Sequence, residues 1–197
     1  MNEYKRRWRV ADLLLRIYHK IAGKLIQRDK RTTQMDNLII RTAEEKDTHR
    51  CFQIESLCFE PSEAASLHKI QIRQQQYPDG FLIAEYNGSV IGMINSGATD
   101  KPDLADEEFK DMIGHDPGGK NLVIFSVAVI PEFQNKGISQ KLMMAFLERA
   151  KDLDKRSVFL LCKSDLVTYY EKAGFNNCGE SPSKHGGSSW WEMRLDL

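Results

Sequence analysis

The stretch VAVIPEFQNKGISQKLMMAFLERA, residues 127–150, decides the fold of this 197-residue chain. Its start continues an unbroken apolar run, LVIFSVAVI, of the kind that forms a strand buried on both faces. Pro131 ends that run, and a polar loop containing Gly137 follows. Apolar residues then recur at helical spacing, namely at Ile138, Leu142, Met143, Phe146, Leu147 and Ala150. The stretch therefore predicts a central strand, a short polar loop and an amphipathic helix with a core-facing stripe.

The loop in front of the predicted helix, residues 134–137, has a composition that suits an anion. The first N–H groups of a helix have no intrahelical partner, and its N-terminus carries about half a positive charge, so phosphate groups bind there. Gly137 allows close approach of a ligand to the backbone, and Lys136 adds a cation. Neither a P-loop nor a Gly-x-Gly-x-x-Gly motif is present. Taken alone, the pattern is equally consistent with an ordinary connection between a strand and a helix.

Turn signals place a hairpin before this stretch. FLIAEY and SVIGMINSG flank Asn87-Gly88, a dipeptide that favours a type I′ turn between two strands. Upstream of the hairpin, a strand is expected at residues 38–41. A helix should follow it, capped by Thr42 with Glu45 and ending near Leu57.

The remaining elements interleave helices and strands along residues 35–197. They comprise a helix from Pro61 to Gln76, a surface loop at residues 99–120, strands at 157–162 and 188–195, and a helix between Ser164 and Gly174. This interleaving predicts an α/β domain with a mixed sheet.

Charge divides the chain into two parts. Residues 1–34 carry ten Lys/Arg against three Asp/Glu, a net charge of +7, and the rest of the chain carries −7. An apolar stripe from Val10 to Ile26 predicts a basic amphipathic helix, followed by a linker. That extension could lie on an anionic membrane, pair with a partner or a second copy, or dock on its own body. Nucleic acid is not an expected partner, since no aromatic stacking series or recognised motif accompanies the charge.

The four cysteines predict neither a disulfide framework nor a metal site. Cys51, Cys58, Cys162 and Cys178 form no Cys-x-x-Cys pair and have no histidine at zinc spacing. No histidine is placed by sequence to activate Cys162, which is expected to be a buried free thiol. The chain shows no signal peptide and no run of about 18 apolar residues, so a cytoplasmic location is expected.

Two segments resemble the GNAT acetyltransferase superfamily. The loop Gln134-Asn135-Lys136-Gly137-Ile138-Ser139 resembles its central motif, Arg/Gln-x-x-Gly-x-Gly/Ala, and DLVTYYEKAGF resembles a later helix that typically ends Tyr-x-x-x-Gly-Phe. Gln134 stands where arginine is commoner, and Ser139 replaces the usual Gly/Ala. The resemblance covers most of residues 37–197, and within the superfamily it is greatest to bacterial relatives of arylalkylamine (serotonin) N-acetyltransferase.

The resemblance implies a GNAT-like fold: a mixed, mostly antiparallel sheet with a central parallel strand pair, flanked by helices, with the amphipathic N-terminal helix added. It also implies acetyl-CoA as co-substrate. The pantetheine arm would run along the backbone of Val127, Ala128 and Val129, with the Val127 N–H polarising the acetyl carbonyl. The pyrophosphate would be held by Gln134, Asn135, Lys136, Gly137, Ile138, Ser139 and Gln140. Tyr170 would protonate the leaving thiolate.

The general base is left open by the sequence. Two strand histidines implicated in the arylalkylamine enzymes correspond here to Val123 and Phe125, so that role does not transfer. The candidates are Glu55, Glu63, His68 and His185, or a chain of water molecules. The acceptor pocket is expected to involve Phe59, Pro61, Glu63 and His185, with Trp190 as a further apolar wall.

Together, these expectations predict an N-acetyltransferase. It would move the acetyl group of acetyl-CoA to a primary amine by direct attack in a ternary complex. The resemblance implies a small acceptor of arylalkyl or polyamine type, and the acidic body separately favours a cation. Two alternatives stand beside it: acetylation of a protein or peptide, and a non-catalytic acyl-CoA-binding module. The chain is expected to be a monomer or a homodimer.

Overall fold

The computed structural model describes residue 35 and residues 37–197 of the chain. Its seven strands are β1 Leu38–Thr42, β2 Phe81–Tyr86, β3 Ser89–Thr99, β4 Asn121–Val129, β5 Ser157–Cys162, β6 Asn176–Glu180 and β7 Trp191–Asp196. They form one sheet in the order β1-β2-β3-β4-β5-β7-β6, in which only β4 and β5 pair in parallel. The predicted mixed, mostly antiparallel sheet with a central parallel pair is confirmed. The predicted N-terminal amphipathic helix lies outside the described residues.

Within the described part of the chain, four α-helices accompany the sheet: α1 Thr48–Cys58, α2 Leu67–Gln76, α3 Ile138–Asp152 and α4 Val167–Lys172. In α3, the predicted stripe is buried at Ile138, Leu142, Met143, Phe146 and Ala150, and it packs on β2, β3 and β4. Burial of each large apolar side chain contributes about 1.5–3 kcal/mol to folding. None of the helices in the described part of the chain is long and apolar enough to span a membrane.

The predicted hairpin is confirmed by its backbone angles. Asn87 and Gly88 have φ values of 50° and 76°, as a type I′ turn requires, and they join β2 to β3.

Two predicted helix starts were wrong. Thr42 is the last residue of β1, where it pairs with Leu82, so its backbone belongs to the sheet and not to a helix cap. The capping box is formed instead by Glu44 and Asp47, around a 3-10 turn at Glu45–Asp47. Arg41 binds Asp47 with two hydrogen bonds of 2.7 and 3.0 Å, which fixes the chain between β1 and α1.

The helix predicted to start at Pro61 begins only at Leu67, where the Ser66 side chain accepts a hydrogen bond from Lys69 N. The residues in between form a loop, because Ala65 N donates to Glu55 Oε1 at 3.0 Å instead of to a helical carbonyl. Two smaller differences concern the C-terminal part. The helix expected at Ser164 starts as a 3-10 turn before α4, and the polar edge strand β6 was not predicted.

The central parallel pair opens partway along its length. Asn121–Ile124 of β4 pair with Ser157–Leu160 of β5, and the pairing stops there. At this point β4 contains a β-bulge: Asn95 and Ser96 of β3 face Ser126 and Ile124, which leaves Phe125 as the extra residue. The bulge displaces the hydrogen-bonding groups of β4, so that the carboxyl-terminal half of the strand runs beside a gap.

Candidate active site

The backbone of Val127 and Val129 faces the gap between β4 and β5. Ile130 N donates to Ile91 O at 2.9 Å, so the backbone N–H and C=O groups of Ile130 point towards β3. The direction alternates along an antiparallel ladder, so Ala128 also points towards β3, whereas Val127 and Val129 point away from it. A linear ligand with amide groups can therefore bind along this half of β4 as an extra strand would.

The loop that follows β4 presents the start of α3. Asn135 and Gly137 have positive φ values of 59° and 78°, which turn the chain into the helix. A Cβ placed on Gly137 would meet nothing closer than Gln140 Oε1 at 3.8 Å, so the space beside this amide is open. Gln134, the off-pattern residue, uses its side chain to donate to Val129 O at 2.9 Å. It stabilises the loop against the strand and does not extend towards an anion.

A groove of about 310 Å³ joins the open strand to this loop. Its walls include Val127, Val129, Gln134, Asn135, Ile138, Ser139, Tyr169 and Tyr170. Tyr169 donates to Ser139 Oγ at 3.0 Å, so α4 is tied to the first turn of α3 across the groove. Six of the ten residues predicted to bind acetyl-CoA line this groove, whereas Ala128, Lys136, Gly137 and Gln140 do not.

Tyr170 lies on α4 with only 7% of its surface exposed. Its ring contacts Tyr169 and Phe175 edge-on, with centroids 5.1 and 5.8 Å away. Burial, and then the neighbouring Tyr169 and Cys162, raise the pKa of Tyr170 well above its ordinary value. The phenol is therefore protonated at neutral pH and can donate a proton.

A second cavity of about 430 Å³ adjoins the groove and shares Val127, Leu166 and Tyr170 with it. Most of its walls are apolar, and they include Phe59, Leu104, Phe109, Phe125 and Trp190. We call this space the inner cavity. Because the two spaces share Tyr170, a group at the end of the groove would meet a molecule in the inner cavity at this side chain.

Glu55, on α1, is the buried carboxylate of the inner cavity. It is 2% exposed, and its Oε1 accepts hydrogen bonds from Ala65 N and Ser126 Oγ, both at 3.0 Å. Its other oxygen, Oε2, is buried and has no hydrogen-bond partner among the residues that the structure describes. Burial raises the pKa of Glu55, while the two hydrogen bonds and the charge of Arg73 oppose that rise. This carboxylate is thus held in place through Oε1, while Oε2 makes no hydrogen bond with the described residues.

Glu63 and His185 belong to a polar network at one wall of the inner cavity. Glu63 Oε1 binds both Lys163 Nζ and Ser188 Oγ. These hydrogen bonds lower the pKa of Glu63 despite the opposing effect of burial. The ring nitrogens of His185 contact Glu107 Oε2 at 2.9 Å and Glu63 O at 3.1 Å. Both side chains therefore connect loops at this wall of the cavity.

Two predicted residues lie elsewhere. Pro61 and His68 are exposed and do not line the inner cavity. Cys162 is a buried free thiol at the end of β5, and burial raises its pKa to about 11, as an unreactive cysteine requires. Among residues 35 and 37–197, no group of three or more His, Cys, Asp or Glu side chains could hold a metal ion.

Two further cavity residues, Arg73 and Lys163, were not predicted from the sequence. Arg73 lies in LHKIQIRQQQ, a segment with the polar composition of a solvated helix, yet it is 3% exposed. Lys163 follows β5 as an ordinary surface lysine would, yet its Nζ lies 4.5 Å from the centre of the Trp190 ring. Only the tertiary fold brings these cations to the cavity.

Known structures share this architecture. The loading GNATL domain of CurA from Lyngbya majuscula superimposes with a TM-score of 0.73 at 18% identity, over 81% of this chain and 97% of that domain. The protein yncA from Salmonella typhimurium, solved with its cofactor acetyl-CoA, gives a TM-score of 0.57 at 20% identity, over 82% of this chain and 95% of that one. At these identities the likeness establishes the fold alone.

Curated relatives match over part of their lengths. N-acetyltransferase 8 of Mus musculus is 30% identical over 52% of this chain, and serotonin N-acetyltransferase of Mesocricetus auratus is 28% identical over 56%. "Probable hydrolase YhcX" of Bacillus subtilis is 26% identical over 62% of this chain. The chain spans 25%, 40% and 52% of the lengths of YhcX, the mouse protein and the hamster protein, respectively.

The sequence profile described as the acetyltransferase (GNAT) family matches residues 48–175. That segment contains β4, the loop in front of α3 and Tyr170, which are the elements that form the groove. The chain belongs to the acetyltransferase (GNAT) family.

Proposed function

We propose that this protein transfers the acetyl group of acetyl-CoA to a small primary amine by direct attack in a ternary complex. The observation that carries the proposal is the meeting of the groove and the inner cavity at Val127 and Tyr170. A thioester at the end of the groove and an amine in the cavity would meet there, beside a phenol that can release a proton. Both substrates then occupy the site together, and no acetylated enzyme is needed.

The groove suits coenzyme A by its chemistry. The N-terminus of α3 and the open space at Gly137 suit the pyrophosphate, and the backbone of Val127 and Val129 suits the amide-containing pantetheine arm. The Salmonella typhimurium structure with acetyl-CoA, and a GNAT-like decarboxylase solved with isobutyryl-CoA, have the same fold. The bound thioester supplies an activated acetyl group.

Three groups of this chain would act on the reaction. Glu55, through its unpartnered Oε2, would take a proton from the acceptor ammonium, directly or through a water molecule. The Val127 N–H, facing the gap, would stabilise negative charge on the acetyl oxygen. Tyr170 would give its proton to the departing sulfur.

The apolar walls of the inner cavity support an acceptor with an aryl or alkyl body, and the partial match to the hamster serotonin enzyme agrees with an amine of arylalkyl type. A polyamine, a lysine side chain and a protein N-terminus are the competing acceptors. We also propose that the protein works in the cytoplasm as a monomer or homodimer, and that residues 1–34 form an extension to a catalytic domain at 35–197.

The test combines binding and turnover. Acetyl-CoA should raise the melting temperature, and release of free CoA thiol should be measured with a panel of arylalkylamines, polyamines, amino acids and peptides. Thiol release with at least one small amine is the expected result. Release with peptides alone would move the function to protein acetylation, and a thermal shift without turnover on any acceptor would favour a non-catalytic CoA-binding protein.

A further inference from the structure

Arg73 is a buried cation in the wall of the inner cavity without an ion pair. It is 3% exposed, and among the described residues its guanidinium makes no contact with a carboxylate at 4.0 Å or less. Glu55 and Asp111 act on it only through charge at longer range. Buried arginines are normally paired, since an uncompensated charge in an apolar interior is costly. Arg73 therefore stands out as a group suited to an anion.

The hydrogen bonds of Arg73 leave part of its binding capacity free. Nε and Nη2 both donate to Lys110 O, at 3.1 and 3.0 Å, and Nη1 donates to Asn95 Oδ1 at 3.2 Å. A guanidinium has five N–H groups, so two remain. The ring of Phe125, another wall residue of the cavity, lies 4.6 Å from the guanidinium carbon. These contacts hold the side chain rigid beside the cavity.

Asn95 connects Arg73 to Glu55. Asn95 and Ser126 are directly opposed across β3 and β4, so their side chains lie side by side on one face of the sheet. Ser126 Oγ donates to Glu55 Oε1, which places that carboxylate next to Asn95. Asn95 Nδ2 and Glu55 Oε2 are both buried without a partner. This small region thus holds the anionic acceptor Glu55 Oε2 and two sets of N–H donors, those of Asn95 Nδ2 and those of the cationic Arg73 guanidinium.

We propose that the acceptor is an α-amino acid with an apolar side chain, whose carboxylate binds Arg73 while its amine faces Glu55. This inference rests on the proposed acetyltransferase function and deepens it. A zwitterion carries its two charges a few ångströms apart, and it complements a carboxylate and a guanidinium that are close but not in contact. Its apolar side chain lies against walls such as Leu104, Phe109 and Trp190.

In the reaction the amine nitrogen forms a bond to the acetyl carbon, and the carbon–sulfur bond breaks. Glu55 takes one proton from the ammonium before the attack, and Tyr170 protonates the departing sulfur. The second proton that the nitrogen loses as the amide forms restores Tyr170. The products are an N-acetyl amino acid and coenzyme A.

The experiment uses matched pairs that differ by one carboxylate. L-Phenylalanine and 2-phenylethylamine are mixed in equal amounts with the full-length protein and acetyl-CoA, and the two N-acetyl products are measured by mass spectrometry. L-Leucine and 3-methylbutylamine form a second pair. We expect the amino acid to be favoured about 10- to 100-fold, as for a hydrogen-bonded charged group. The product ratio from one tube does not depend on how much of the protein is folded.

Arg73→Met and the milder Arg73→Lys test the residue itself. Arg73→Met should lower the amino acid preference to about one or below. The control is Arg50→Met, which removes an arginine that binds Val90 O and Gln53 outside the cavity and should keep the wild-type ratio. If Arg73→Met does not fold, a reduced preference in Arg73→Lys is the required result.

Equal or greater use of the amines by the wild-type protein would overturn the amino acid proposal, as would an unchanged ratio in both Arg73 variants. If neither amino acid is acetylated while another amine of the panel is, the proposal fails and the acetyltransferase function stands. If no acceptor reacts and acetyl-CoA gives no thermal shift, both fail.

Discussion

Tyr170 and Glu55 are two buried ionisable side chains whose surroundings shift their pKa values upwards. For a phenol the shift keeps the proton on at neutral pH, and for a carboxylate it brings the proton affinity closer to that of a useful base. The same physical cause, burial, thus prepares one group to donate and the other to accept. The acid Tyr170 and the base Glu55 thus both depend on the same apolar surroundings.

Replacing Tyr170 with phenylalanine removes the proton donor and keeps the ring contacts. We expect kcat to fall about 100-fold or more, with little change in the KM for acetyl-CoA. Steady-state thiol release measures both constants. Tyr77→Phe is the control, because its hydroxyl is also buried but lies outside the two cavities. An unchanged kcat in Tyr170→Phe would remove the acid from the mechanism.

The raised pKa of Glu55 predicts opposite effects on activity and stability. A base must be ionised, so kcat/KM should fall as the pH drops through this raised value, above the ordinary carboxyl range near 4.3. Glu55→Gln should lose most of the activity, and its residual kcat/KM should no longer fall at acidic pH. If the variant keeps the acidic fall of the wild type, another group is responsible for it.

For stability, the folded-state pKa of Glu55 lies above its unfolded value. Its contribution is therefore fully present below the unfolded pKa and is lost as the pH rises through the folded pKa. The amide of Glu55→Gln has no proton to lose and acquires no charge, so its melting temperature relative to that of the wild type should increase over this rise in pH. Thermal unfolding at a series of pH values checks the sign, and a constant difference would contradict it.

At the scale of elements, the loop between β4 and α3 is stabilised by its own off-pattern residue. Because Gln134 donates to Val129 O, it positions the helix N-terminus relative to the open strand. Gln134→Ala should raise the KM for acetyl-CoA severalfold and lower the free energy of unfolding by about 1 kcal/mol, with kcat nearly unchanged. Met144→Ala, an exposed change on α3 that lines neither the groove nor the inner cavity, is the control. A larger effect in the control would show that Gln134 is not the organising residue.

Elements with local signals could be predicted from the sequence. The hairpin follows from Asn87-Gly88, and the strand, loop and helix at residues 127–150 follow from apolar periodicity. The start of α2 could not, because Ala65 binds Glu55 on the preceding helix, which the residues around Pro61 do not reveal. The start of α1 was wrong because the capping box lies at Glu44 and Asp47, two residues after the predicted one. The short exposed β6 lacks apolar alternation and exists through its pairing with β7.

The residues of the candidate site also divide into those that could be predicted from the sequence and those that could not. The groove residues and Tyr170 form contiguous motifs, so a resemblance was sufficient to propose them. Glu55 was one of several candidate bases, and only its burial and its unpartnered oxygen set it apart. Arg73 was not predicted at all, because a polar helix gives no sign of which polar residue turns inward.

At the scale of the whole molecule, the sheet and its core are complete within one compact unit, Leu38–Leu197. We therefore expect a chain lacking residues 1–34 to unfold cooperatively and to keep its thermal shift with acetyl-CoA. Calorimetry of the full-length and shortened chains makes the comparison. Aggregation of the shortened chain, or loss of the shift, would assign residues 1–34 to the domain or to an interface between copies.

The bulge at Phe125 keeps one strand from closing onto its neighbour. Without this extra residue, the register of β4 beyond Ile124 would continue unbroken, and the groups at Val127 would fall in step with the end of β5. The strands β4 and β5 could then pair to their ends, and no gap would remain between them for a substrate. A single extra residue thus keeps the substrate groove open. Deleting it should make the sheet more regular and abolish catalysis.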